Sequence, residues 1–168
     1  MTEQIDLDTH SLHLLEALQE DAQLTVQQLS DRIGLSTTPV WKRVKDMQAN
    51  GVIRGYTVLI DPEKVGLGLR VVVEANLGQH SEDAVRRFER AVASCPQIVQ
   101  CFSTTGQADY LMTIVVPDIK RYEQFLHDTL FKLPGITHVR SSIVLKEVKR
   151  DAKLPLAYRT RAARPAAR

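Results

Sequence analysis

The segment from Thr25 to Gly51 constrains the fold more than any other part of the chain. Thr25 can cap the free N–H groups of a helix start, and Gln28 three positions on completes a capping-box pattern. Leu29 and Ile33 then share one face, and Gly34 suits the residue that ends a helix. Ser36 opens another helix almost at once, with Pro39 in its first turn, where a missing N–H is tolerated. Val40, Val44 and Met47 recur at i, i+4 and i+7 as the buried stripe of that helix, and Gly51 closes it. Ahead of both, Leu7, Leu14, Leu15 and Leu18 give one apolar face to a helix from Asp8 to Glu20. Two helices joined by a short glycine-containing turn have the spacing of a helix-turn-helix.

Burying Val40, Val44 and Met47 decides what the last of these helices shows to the outside. Thr37, Thr38, Trp41, Lys42 and Lys45 point away, with Arg43 at the margin and Ser36 at the start. Such a face offers hydroxyls and cations to phosphates and an aromatic ring to thymine methyls or sugars. Trp41 has a second reading, as a core residue packed on the first helix. The β-forming run Val52 to Ile60, broken at Arg54-Gly55, predicts the two short strands of a wing. Asp61-Pro62 marks the boundary of the module.

Two similar units follow. Leu69, Val71, Val73, Ala75 and Leu77 alternate on a strand. A helix from Ser81 to Ser94 buries Val85, Phe88 and Val92, and Cys95-Pro96 leads into a strand from Ile98 to Ser103. Tyr110 to Val116 forms the next strand. A helix from Asp118 to Lys132 buries Ile119, Tyr122, Leu126 and Leu130, and Leu133-Pro134-Gly135 turns into a strand from Ile136 to Leu145. Strand–helix–strand twice over predicts a ferredoxin-like βαββαβ arrangement with both helices on one face. Val72, Leu111, Thr113, Val115 and Val144 fall on the other face, and several are too apolar for open water. A second copy of the sheet is the simplest cover, which predicts a homodimer with two recognition helices.

The predicted fold is therefore α+β. An N-terminal winged helix-turn-helix occupies residues 1–60, a linker 61–68, a ferredoxin-like sandwich 69–148, and a basic tail 149–168. No apolar run approaches the roughly 20 residues of a membrane helix, and no basic segment followed by an apolar one opens the chain, so a cytoplasmic protein is expected. Cys95 and Cys101 lack a zinc-type partner pair, so neither metal nor cofactor is expected. The net charge of +2 hides an asymmetry. Acids outnumber bases over residues 1–60, yet Lys42, Arg43 and Lys45 cluster. The tail carries Lys149, Arg150, Lys153, Arg159, Arg161, Arg164 and Arg168 against Asp151 alone. That pattern suits a phosphate-facing surface, although charge by itself favours a solvated helix face and a disordered tail.

In order and spacing the chain resembles the Lrp/AsnC, or feast/famine, family of transcription regulators. Carriers in the first module are Leu7-Asp8, Leu14-Leu15, Leu18-Gln19, Leu29-Ser30, Gly34-Leu35-Ser36, Pro39-Val40, Arg43-Val44, Gly51-Val52-Ile53 and Gly55-Tyr56. In the second they are Gly106 to Tyr110, Val116-Pro117-Asp118 and Leu133 to Ile136. The resemblance implies a sequence-specific binder of double-stranded DNA that forms dimers, with tetramers or octamers built from them. It also implies a response to an amino acid held near the Gly-x-x-Asp-Tyr loop. Carried over, that places Gly106, Asp109 and Tyr110 at the effector site, flanked by Thr104, Thr105, Gln107 and Ala108. Gln107 and Ala108 depart from the acid and aromatic residue of many relatives, which leaves the effector unnamed. Asp109 has a second reading, as a cap on a strand start with no ligand.

Two other functions fit the same elements. Decarboxylases of haem biosynthesis share the fold, but they call for histidines grouped about a tetrapyrrole, whereas His10, His13, His80, His127 and His138 are scattered. No Ser/His/Asp or Cys/His set, paired carboxylates or phosphate loop argues for an enzyme. A sensor whose helix-turn-helix makes only protein contacts would lack the steep salt dependence of DNA binding.

Overall fold

The computed structural model describes residues 5–150 and 153–156. They fall into two compact units, one running to Val58 and taking in the residues from Arg150 onward, the other spanning Leu59–Lys149.

In the first unit α1 (Thr9–Glu20), α2 (Val26–Ile33) and α3 (Thr37–Ala49) pack on one another. The starts of α1 and α2 are capped by side chains. The Asp8 carboxylate accepts the Ser11 N–H at 2.7 Å, and Thr25 with Gln28 forms the reciprocal capping box predicted from their spacing. Gly34 ends α2 at φ 75°, a left-handed conformation open to glycine at little cost. Leu14, Ala17, Leu29, Val40 and Met47 form the buried core, rimmed by Leu7, Leu15, Leu18, Ile33 and Val44. Full burial of such side chains contributes about 1.5–3 kcal/mol each.

The two wing strands do not form among the described residues. Val52 and Ile53 fold back onto the helical core, and the Ile53 N–H donates to the Met47 carbonyl at 2.9 Å. No strand forms over residues 56–60, and Val58 is 74% exposed. β-propensity needs a partner strand to act on, and a single chain offers none here.

In the second unit β1 (Leu69–Leu77), α4 (Glu82–Ala93), β2 (Ile98–Ser103), β3 (Tyr110–Val116), α5 (Ile119–Asp128) and β4 (Ile136–Ile143) follow in order. The antiparallel sheet runs β2-β3-β1-β4, the order of the predicted split βαβ fold. Register aligns Val71 with Ile114, Val73 with Met112 and Ala75 with Tyr110, so one face carries the core. Phe88 of α4 seals it, with ring centroids 4.5 Å from Tyr110. The apolar alternation of β1 is thus the alternation of the sheet.

The second helix is shorter than its sequence pattern predicts. α5 stops at Asp128 and a 3-10 turn takes residues 130–132. Ile119, expected inside, is 57% exposed, and Phe125 is buried. Ile119 is the first helical residue after the Asp118 cap, so the buried stripe begins a turn later, at Tyr122 and Phe125. β4 likewise ends at Ile143, two residues before the predicted Leu145.

Candidate nucleic-acid interface and effector loop

The interface candidate is the outer face of α3. Ser36, Thr37, Thr38, Trp41, Lys42 and Lys45 are all exposed, while Val40 and Met47 are sealed beneath them. Trp41 is 53% exposed, which removes its core reading. The Ser36 hydroxyl makes no capping bond, and no acid stands in the first turn of α3. The start of α3 thus carries no side-chain cap and no acid to offset the helix dipole. Helix starts of this kind favour phosphate.

Arg43, expected at the margin of that face, is half-buried. Its guanidinium turns to the Asp8 carboxylate at 2.8 Å, and its Nε is buried without a hydrogen-bond partner. Three positions after Val40, the side chain lies at the edge of the buried stripe, where the aliphatic stem can pack and the head meets an acid. Hydrogen bonding to Arg43, then to Ser11, holds the Asp8 carboxyl well below the ordinary carboxylate range. Asp8 thus caps α1 and ties it to α3.

The effector candidate is the turn between β2 and β3. Thr105, Gly106 and Gln107 are exposed, Thr104 and Asp109 are half-buried, and Ala108 and Tyr110 are buried. Tyr110 turns into the core beneath the helices. Its hydroxyl donates to Glu89 Oε1 at 3.1 Å, and burial followed by this acceptor pushes the phenol up to about 12. Neither Tyr110 nor Ala108 presents its side chain at the loop surface, because strand alternation sends Tyr110 inward.

Asp109 is busy. Its Oδ2 accepts the Leu77 N–H at 2.8 Å, and His80 Nε2 lies 3.7 Å from the same oxygen. The Asp109 N–H donates to Asn76 Oδ1 at 3.1 Å, and Asn76 Nδ2 to the Gln107 carbonyl at 3.2 Å. Within the loop, Thr104 N–H donates to the Asp109 carbonyl and the Thr104 hydroxyl to the Ala108 carbonyl. The loop is thereby fastened to the end of β1. Gly106 has open space above it, so its backbone is accessible to a ligand.

The two candidates lie in matching family domains. Residues 7–54 match the winged helix-turn-helix DNA-binding family, and residues 70–154 match the Lrp/AsnC ligand binding domain. The DNA-binding transcriptional activator DecR of Escherichia coli is 37% identical over 150 residues, 89% of this chain and 99% of its own. The chain belongs to the Lrp/AsnC family. The leucine-responsive regulatory protein of Escherichia coli is 36% identical over 154 residues, 92% of this chain and 94% of its own. Among solved structures, a Neisseria meningitidis transcriptional regulator in complex with L-Met superposes with a TM-score of 0.85 at 35% identity, covering 91% of this chain and 99% of its own. An AsnC family regulator from Agrobacterium tumefaciens has the same TM-score at 37% identity, over 90% of this chain and 99% of its own.

As an Lrp/AsnC member the protein is a DNA-binding transcription regulator, not an enzyme. No described helix is long and apolar enough to cross a membrane. Several residues that shape the two sites escaped the sequence reading. Asp8 was legible as the start of the first helix, but neither as its cap nor as the partner of Arg43. Asn76 and His80 carry no local signal at all, since what they hold is more than twenty-five residues away.

Proposed function

We propose that this Lrp/AsnC protein is a cytoplasmic regulator that binds operator DNA through α3 and responds to an amino acid by changing its assembly. Residues 1–60 are the DNA-binding part, 61–68 the connector and 69–148 the sensing and assembly part. The observation that carries the reading is the exposed Thr38–Trp41–Lys42–Lys45 ridge on a helix whose other side is sealed. Thr38, Trp41 and Lys42 sample base edges or nearby phosphates in the major groove, and Lys45 holds the backbone.

The effector is an amino acid, as in the L-Met complex of the Neisseria relative, and no resident cofactor is needed. Thr105, Gly106 and Gln107 meet it, with exposed backbone N–H groups for its carboxylate. Thr104, Ala108, Asp109 and Tyr110 shape the loop from behind. A homodimer forms through the open sheet face, where Phe102 is 56% exposed beside Leu111, and dimers associate into tetramers or octamers. An effector shifts that equilibrium only by binding one assembly better than another.

Genomic capture of bound fragments, followed by binding to the captured duplexes at increasing salt, tests the DNA assignment. Affinity unchanged in a Lys42→Ala, Lys45→Ala double variant would remove the groove placement. Sedimentation of the native protein and Asp109→Ala with a panel of amino acids tests the effector, and identical profiles throughout would remove it.

A further inference from the structure

Among the described residues of α1, α2 and α3, Trp41 alone is a large apolar side chain left exposed, at 53%. Tryptophan is highly buried on average, and here the ring stacks on no other aromatic side chain among the described residues. Its origin is fixed from below, because Val40 directly before it is 0% exposed and Met47 is 3% exposed. Trp41 is the fifth residue of α3, about 6 Å along the axis from the helix start. Exposed Thr37 and Thr38 lie one turn before it, and exposed Lys45 lies one turn after. A helix that enters a major groove presents its first turns to the base edges. The indole therefore stands where bases are read.

We propose that Trp41 is a thymine reader: its indole covers the C5 methyl group of one thymine per recognition helix and makes α3 select T·A at that position. This rests on α3 being the groove helix. The chemistry of the groove floor narrows the partner. Base pairs show acceptors and amino donors at their major-groove edges, and the thymine methyl is the one apolar group among them. The indole has a single N–H donor and no acceptor. Laid over a purine N7 and O6, or over a cytosine amino group, the ring strips water from polar atoms and returns at most one hydrogen bond. Laid over a methyl group, it removes apolar surface from water on both partners. Its place between the threonines and Lys45 leaves the phosphates to hydroxyls and cations and the groove floor to the ring.

The test uses the full-length protein on a genomically captured duplex in which each thymine is replaced in turn by deoxyuridine, which pairs identically and lacks only the methyl. Native protein should lose about fourfold in affinity at one thymine in the segment facing each α3, the worth of one buried carbon group. Cytosine at that position should bind more weakly still, and 5-methylcytosine should recover about fourfold over cytosine. Trp41→Ala should bind the thymine and deoxyuridine duplexes within about twofold of each other. Its salt slope should equal that of the native protein, because an indole releases no counterions. Trp41→Gln, whose polar side chain suits an exposed helix position, should show the same indifference to the methyl. Native protein that responds to no thymine methyl overturns the inference, and binding that still weakens with salt then leaves the α3 reading in place. Methyl dependence that persists in both variants also overturns it, by assigning the methyl to another side chain or to duplex shape. Absence of binding by the native protein removes the α3 reading and the thymine reader together.

Discussion

The guanidinium of Arg43 lies 2.8 Å from the carboxylate of Asp8, so the residue that caps the first helix also grips the recognition helix. Asp8→Ala should lower stability by about 1–2 kcal/mol, combining a lost cap with a lost, partly exposed ion pair. Asp8→Asn keeps the cap and should cost less than about 1 kcal/mol. The sign with pH follows from the depressed carboxyl. Its contribution is complete above the unfolded value of about pH 4 and is lost as pH falls toward the lower folded value. Thermal melts should therefore show a gap between native protein and Asp8→Asn that is constant near neutrality and closes in acid.

Lys42 and Lys45 should act on DNA where Arg43 does not. Replacing either lysine with Ala should flatten the salt slope by about one unit and weaken all sequences in proportion. Arg43→Gln should instead lower the melting temperature and leave the slope of the remaining folded protein as it was. Parallel slopes for Lys42→Ala and the native protein would contradict the exposed ridge.

Tyr110 donates its hydroxyl to Glu89 within a buried environment. Tyr110→Phe preserves the ring against Phe88 and should cost about 0.5–1.5 kcal/mol. Because the phenol is raised to about 12, its share of stability is whole below the ordinary value of about pH 10 and lost as pH rises through the folded value. An ultraviolet titration should find a tyrosine ionising near pH 12, and Tyr110→Phe should remove its contribution.

A Cβ at Gly78 would sit 2.7 Å from the Thr137 methyl group. Gly78→Ala should destabilise the second unit by about 1–2 kcal/mol, since β-branched Thr137 yields poorly. Adding Thr137→Ser removes the methyl while retaining a hydroxyl for the Asn76 carbonyl, accepted now at 3.2 Å. Denaturant melts of the double variant should recover most of the loss.

The sequence by itself determined the elements and which face each would bury. The cap at Thr25, the Gly34 break and the i, i+4, i+7 stripe of α3 are local signals, and local hydrogen bonding and side-chain periodicity suffice to obey them. The alternation of β1 likewise predicted its core face, because strand geometry leaves only two choices. Tertiary structure alone decided the rest. Arg43 turns its guanidinium to Asp8, thirty-five residues earlier, a contact set by how α1 packs on α3. Asp109 became the clasp of its own loop because β1 ends beside it, and Tyr110 was drawn under α4. Val52 to Ile60 has strand-forming residues but no strand to pair with. Each of these outcomes depends on a group far away in the chain, and no local pattern encodes the position of a distant atom.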